Sequence, residues 1–284
     1  DYVERQSGLC ELALHNFPLL GLGHIRIHNR DGVSYLQEML PVDCLFLDPA
    51  RRDGHGGKTV AISDCEPDVT VLEPLLVDKA KKVMVKLSPM LDLSLALNEL
   101  KTVRAVHIVA VNNECKELLL ILQKESVSSE VSIHCEHIAG NGESRHYTFT
   151  LKQEKTSPCL LADEVGTYLY EPNAAILKAG AFRSLTQTYP VAKLHLNSHL
   201  YTSVSLVPDF PGRRFRVEAV SGFGKKELKA FLMDMDKANI TIRNFPLSVA
   251  ELRKRLKLKE GGDDYIFATT LSGGQKVLIR GKKC

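Results

Sequence analysis

The chain has 284 residues, 44% hydrophobic and 25% charged, which excludes extended disorder, collagen-like sequence and coiled coil as the main architecture. At about 150 residues per domain, two domains are the first expectation. No stretch approaches the ~18 uninterrupted apolar residues of a membrane span, and Asp1-Tyr2-Val3-Glu4-Arg5-Gln6 is too polar for a secretory signal, so no membrane partner is expected. The net charge of +3 is unevenly distributed: residues 213–284 hold 17 Lys and Arg against 8 Asp and Glu, and residues 1–212 hold 20 against 26. A compact basic end suits a polyanion, because Lys and Arg displace counterions from phosphates.

From residue 1 to about 125, short apolar runs alternate with helical segments, the signature of a parallel sheet with crossover helices. Strands are expected over 2–5, 25–29, 44–47, 83–87 and 106–111. Leu9, Leu12, Ala13 and Phe17 fall at helical spacing in 8–20, and Val69, Leu72, Leu76 and Ala80 do so in 69–80. After Asn112-Asn113, the run Leu118-Leu119-Leu120-Ile121-Leu122 is placed to return antiparallel to the strand before it.

Residues 126–212 change character. Val131-Ser132-Ile133 and Tyr147-Thr148-Phe149 flank the turn Gly140-Asn141-Gly142 and predict a hairpin. A helix is expected after Glu171-Pro172-Asn173, then a strand-rich run through Leu194, Leu196 and Val204-Ser205-Leu206, with His195, Asn197, His199 and Tyr201 on one strand face. Asp209-Phe210-Pro211-Gly212 reads as a turn.

The last part predicts strand 215–220, helix 225–235, strand 239–243, helix 249–258, strand 265–269, a turn at Gly273-Gly274 and strand 276–280. That is a small βαβ module closed by a hairpin. Ser248 with Glu251 three residues on forms a capping box.

Seven scattered cysteines, an odd number without a Cys-x-x-Cys pair, read as reduced thiols in a cytoplasmic protein. His134-Cys135-Glu136-His137 gives no metal site, because alternate residues of a strand face opposite sides. Gly54-His55-Gly56-Gly57-Lys58-Thr59 fails as a P-loop on spacing, since Arg52 stands where a glycine is required.

In a doubly wound sheet, ligands sit beyond the carboxyl ends of the strands. Glu4 closes the first strand, where a carboxylate can accept both ribose hydroxyls of a nucleoside. Asp31 closes the next, where it can accept from an adenine amine. Asp48-Pro49-Ala50-Arg51-Arg52 follows the third strand and Lys86-Leu87-Ser88-Pro89 ends a later one. This order resembles the class I S-adenosylmethionine-dependent methyltransferases. The runs Tyr2-Val3-Glu4-Arg5-Gln6, Leu47-Asp48-Pro49-Ala50-Arg51-Arg52-Asp53, Val85-Lys86-Leu87-Ser88-Pro89-Met90-Leu91-Asp92, Asn113-Glu114-Cys115-Lys116-Glu117-Leu118 and Tyr170-Glu171-Pro172-Asn173-Ala174-Ala175 more closely resemble bacterial methyltransferase-like proteins with a C-terminal THUMP-like domain.

The resemblance implies an α/β chain of three parts. These are a partial Rossmann-like methyltransferase sheet over 1–125, a ferredoxin-like α+β region over 126–212 and a basic THUMP-like domain over 213–284. It implies S-adenosyl-L-methionine held by Glu4, Asp31 and Asp48, and an acceptor met by Asp48, Pro49 and Arg51. RNA (tRNA or rRNA) would be gripped by Arg213, Arg214, Lys225, Lys226, Arg253, Lys254 and Arg255, through phosphate contacts that position rather than specify. Arg51 stands where amino-methyltransferases usually carry an aromatic that stacks on the base; its guanidinium can stack or hold a phosphate. A covalent cysteine mechanism is disfavoured, since the strand that would be followed by that cysteine leads into Lys86-Leu87-Ser88-Pro89.

The glycine-rich turn of this fold, which lets the backbone approach the methionine part of the cofactor, is nowhere in the sequence. It is expected upstream of Asp1, which would leave this fragment inactive. The strands ending at Glu4 and Leu47 would then be separated by a gap or paired directly. A binding or scaffold protein on the same fold is the alternative reading. A nicotinamide-dependent dehydrogenase ranks lowest, because Asp-Pro-x-Arg has no role there.

Overall fold

Three aspartates start helices in the N-terminal part of the chain, each by accepting a backbone N–H of the first turn, the standard way to satisfy donors that a helix leaves orphaned. Asp31 accepts from Ser34, Asp68 from Thr70 and Asp92 from Leu95. The computed structural model describes residues 1–51, 61–124 and 130–284. It forms two units, Asp1–His107 with Glu117–Val131, and Ile108–Lys116 with Ser132–Cys284.

The elements begin with β1 (Tyr2–Glu4), α1 (Ser7–Leu19), β2 (Ile27–Asn29), α2 (Gly32–Glu38), β3 (Val42–Leu47), β4 (Ala50–Arg51), β5 (Cys65–Glu66) and α3 (Val69–Lys79). They continue with β6 (Ala80–Leu87), α4 (Leu93–Glu99), β7 (Val103–Val111) and β8 (Glu114–Leu122). β1 pairs in parallel with β2, with Glu4 opposite Asn29. β3 pairs in parallel with β6, and β6 pairs antiparallel with β8, the return strand expected from the sequence. Alternate residues Val83, Val85 and Leu87 of β6 are buried, as are Val106, Ile108 and Ala110 of β7.

Of the two outcomes expected for the strands ending at Glu4 and Leu47, the gap is the one observed: β1 and β2 form their own ladder and β3 is the outer strand of its sheet. Phe46 on β3 is consequently exposed. The helix expected over 8–20 forms, but its apolar face is only partly covered. Cys10 and Ala13 are buried, whereas Leu9, Leu12, Leu14 and Leu19 are exposed, because a ladder of two three-residue strands offers too little area to cover a 13-residue helix.

The second unit contains β9 (Ser132–Ile138), β10 (Ser144–Thr150), α5 (Leu151–Thr156), β11 (Tyr168–Pro172), α6 (Ala174–Ala179), α7 (Leu185–Thr188), β12 (Ala192–Lys193) and β13 (Tyr201–Ser203). It ends with β14 (Gly212–Ser221), α8 (Lys225–Phe231), β15 (Asn239–Arg243), α9 (Val249–Leu256), β16 (Asp264–Thr270) and β17 (Lys276–Lys283). β9 and β10 form the predicted hairpin. The later strands make one seven-stranded sheet in the order β12-β13-β11-β14-β17-β16-β15. β15, α9 and β16 are the parallel βαβ unit, and β17 returns between β16 and β14. The capping box at Ser248 and Glu251 is formed.

Strand alternation gives this sheet two cores. Leu169, Leu200, Phe215, Phe267 and Ile279 pack on one side; Phe231, Leu252, Leu256, Ile266 and Leu278 pack on the other, beneath α8 and α9. Gly212 is needed where β14 meets β11: a Cβ there would lie 2.1 Å from the Glu171 carbonyl oxygen.

Two expectations need correction. The run through Leu194, Leu196 and Val204 is not a strand: residues between β12 and β13 form a loop in which His199 has φ +53°, and Val204 is 79% exposed. His195, Asn197, His199 and Tyr201 therefore share no strand face. The helix expected over 225–235 stops at Phe231, and Asp234 at φ +63° turns the chain toward β15.

Glu73 ties α3 to the start of β7. Its buried Oε1 accepts from the Lys101 N–H, the Thr102 N–H and the Thr102 hydroxyl at 2.6–2.8 Å. Glu73→Ala would orphan these donors and is expected to cost about 2–3 kcal/mol, read as a lowered urea midpoint; an unchanged midpoint would contradict this role.

Candidate functional site

Parallel pairing of β1 with β2 puts Glu4 and Asp31 at neighbouring carboxyl ends. Glu4 is half-buried and its Oε1 accepts from the Gln6 N–H at 2.7 Å. The exposed Asp31 accepts from the Ser34 N–H at 2.8 Å and the Ser34 hydroxyl at 3.0 Å, and these hydrogen bonds hold its carboxyl below the usual range. Arg5 lies in the field of both carboxylates and donates to Glu66 at 3.0 Å. Glu66 lies on β5, whose ladder with β4 pairs it with Ala50 and pairs Cys65 with Arg51. Arg5, in the field of Glu4 and Asp31, is thus linked through Glu66 to the segment carrying Asp48 to Arg51.

Asp48 is exposed and Pro49 buried. The Asp48 carboxylate is 2.7 Å from the Lys86 ammonium, which lies 3.8 Å from Glu117 as well. The Asp48 contact, partly opposed by burial, raises the Lys86 pKa. The side chain of Arg51 and the segment Gly54 to Thr59 lie outside the described residues. Arg5 and Glu66 are partners that the sequence reading missed, since nothing in the sequence joined them; Lys86 was named there as closing a strand, but its pairing with Asp48 was not.

The basic residues divide into two groups along β14. At its start, Arg213 donates to Glu171 and Arg214 to the Pro208 carbonyl. Beyond its end, Lys225 and Lys226 are exposed at the start of α8. The Arg255 guanidinium lies 5.2 Å from the centroid of Phe223, a ring stacked at 5.3 Å on Phe245. Lys254 is exposed, and Arg253 donates to the Ala238 carbonyl. The two groups are joined through Arg243, which also donates to Glu171 and stands two residues before Phe245. β15 lies four ladder steps from β11 in the sheet order, so the sheet must curl for Arg243 to reach Glu171.

Beside this junction, the His199 ring stacks on Phe182 with centroids 3.7 Å apart, and the buried Lys193 ammonium is 5.0 Å from the Phe182 centroid. His199 Nδ1 is buried without a hydrogen-bond partner. Burial first, then the charges of Lys193 and Arg243, lower the His199 pKa to about 4. Away from this region, the His134 ring nitrogens are within hydrogen-bond distance of the Ser132 and Thr148 hydroxyls.

Comparison with known proteins adds to this geometry. Residues 168–211 match a ferredoxin-like domain family and residues 212–283 a THUMP domain-like family. A crystal structure described as "putative methyltransferase from Porphyromonas gingivalis W83" is similar to this chain with a TM-score of 0.88 and 37% identity, over 100% of this chain and 71% of that one. No curated protein matches. Among the described residues, no helix is long and apolar enough to cross a membrane.

The depressed His199 pKa has a signed consequence. An unfolded histidine titrates near 6.5, so the neutral folded form contributes stability above that pH which is lost as pH falls toward about 4. His199→Asn keeps a residue suited to positive φ. Its urea midpoint is expected to fall less than that of the parent between pH 6.5 and 4; identical profiles would contradict the assignment.

Proposed function

The chain belongs to the same family as the Porphyromonas gingivalis protein, and on that premise we propose that it serves S-adenosylmethionine-dependent methylation of RNA, tRNA or rRNA, in the cytoplasm. Glu4, Asp31 and Asp48 face the donor, Asp48, Pro49 and Arg51 face the acceptor, and the basic module over 213–284 docks the nucleic acid. The observation that supports this most is the parallel pairing of β1 with β2, which sets Glu4 opposite Asn29 with Asp31 two residues on at the start of α2, and Arg5, in the field of both carboxylates, bonded to Glu66 on the ladder with Ala50 and Arg51. Glu4 Oε1 accepts from the Gln6 N–H and Asp31 accepts from Ser34 and the Val33 N–H. Carboxylates at these places suit the donors that a nucleoside presents, ribose hydroxyls for Glu4 and an adenine amine for Asp31.

When bound, S-adenosylmethionine supplies an electrophilic methyl group for in-line displacement, a reaction in which protein groups act by positioning and electrostatics. Asp48 and the Pro49 carbonyl would accept the hydrogens of an acceptor amine and aim its lone pair. Arg51 would stack against a base or hold a phosphate.

A second reading, a nucleic-acid-binding scaffold without turnover, is favoured by one observation: the Asp48 carboxylate is already engaged by Lys86 at 2.7 Å. Methyl transfer to RNA by a form of the protein that carries the glycine-rich turn, and by the same form with Asp48→Ala, separates the two. Loss of at least tenfold in the variant supports catalysis; equal rates, or no transfer by either, support the scaffold. Titration of this chain alone with S-adenosylmethionine is expected to give little heat, since the sequence holds no glycine-rich turn for the methionine part; micromolar binding would contradict that expectation.

Docking has its own test. If at least four of Arg213, Arg214, Lys225, Lys226, Arg253, Lys254 and Arg255 contact phosphates of single-stranded RNA, log affinity should fall with log salt with a slope of about −3 or steeper. A flat dependence would remove the docking role.

A further inference from the structure

Glu171 has 3% of its side chain exposed and receives two guanidinium groups. Arg213 donates Nε and Nη2 to Oε2; Arg243 donates Nε at 3.2 Å and Nη2 at 2.9 Å to Oε1. Both arginines therefore present the same edge to one carboxylate. Among the described residues the Nη1 atoms of both have no hydrogen-bond partner, and the side chains are 34% and 36% exposed. The Arg213 guanidinium also lies 5.6 Å from the Phe215 centroid, which further fixes its plane.

One negative charge facing two positive ones leaves a net charge of +1, and Arg243 is close enough to the buried Lys193 for both to act on His199. Two like-charged groups held on one carboxylate repel each other, and a second anion on their solvent side would relieve that repulsion. Guanidinium donors in fixed planes match the tetrahedral oxygens of phosphate better than a mobile ammonium does.

We propose that Arg213 and Arg243, oriented by Glu171, form a fork that binds a single phosphate group through the Nη1 groups that Glu171 leaves unused. This rests on the RNA-docking reading for its biological source and adds to it a binding residue, Arg243, and a positioning residue, Glu171. Arg243 was not among the cations read from the sequence as nucleic-acid contacts, and Glu171 has no place in a simple electrostatic patch.

The test uses the whole chain with three probes: inorganic phosphate, and one single-stranded RNA 12-mer carrying either a 5′-phosphate or a 5′-hydroxyl. The arginine Nε–H resonances of the parent are followed by NMR, with Arg213→Lys and Arg243→Lys serving for assignment. Saturable shifts of both Nε–H signals with phosphate, and about tenfold weaker RNA binding by Arg243→Lys, support the fork. Weakening for both RNAs identifies an internal phosphate; weakening confined to the 5′-phosphorylated RNA identifies a terminal one.

The signals of the parent report on the fork even if a variant fails to fold. If neither signal moves with phosphate or RNA, the fork is wrong. Should RNA bind, and be lost in Lys225→Glu with Lys226→Glu while both Nε–H signals stay fixed, the docking reading survives and the fork falls. Should RNA fail to bind while phosphate still moves both signals, docking falls and the fork stands as a site for free phosphate.

Discussion

A carboxylate taken out of water needs donors to replace its hydration, and Glu171 finds them in guanidinium groups from two other strands. Arg213 comes from β14, the ladder neighbour of β11, and Arg243 from β15, the far edge of the same sheet. Satisfying Glu171 twice therefore requires the seven-stranded sheet to bend back on itself. The bend encloses the core of Leu169, Leu200, Phe215 and Phe267, and it is supported by the hydrogen bond between Asn244 and His195 at 3.0 Å. The ferredoxin-like and THUMP-like segments are thus halves of one sheet, joined at β11 and β14, where Gly212 allows the backbones to approach.

In the N-terminal unit one residue type recurs in one structural role. Asp31, Asp68 and Asp92 all cap helices, so a cap at a strand end does not by itself mark a ligand site. What distinguishes Asp31 is its neighbourhood: Glu4 on the adjacent strand end and Arg5 between them and Glu66. The same reasoning weighs on Asp48, whose pairing with Lys86 gives it a structural partner and a competitor for any acceptor amine.

Much of the local structure was legible because its causes are local. The β15 strand, the Ser248–Glu251 box and the Gly142 hairpin follow from alternation, capping and turn chemistry within a few residues. The failures arose where long-range contacts decide. Leu194, Leu196 and Val204 have strand composition, but the segment is held as a loop by packing of His199 on Phe182 and by the bond of Lys193 to the Leu196 carbonyl. The face of α1 could be read from its spacing, but not how little sheet lies beneath it. For the site, strand-end carboxylates could be read from order along the chain, whereas the Arg5–Glu66 link and the approach of Arg243 to Glu171 span 61 and 72 residues and depend on tertiary folding.

The central claim is that Glu171 holds both segments in one curved sheet, and hydrogen exchange tests it directly. Comparison of the parent with Glu171→Gln should show amides of β11, β14 and β15 losing protection together, since the bend is shared. If only amides within a few residues of position 171 exchange faster while β15 keeps its full protection, the carboxylate is a local contact and the account of the sheet is wrong.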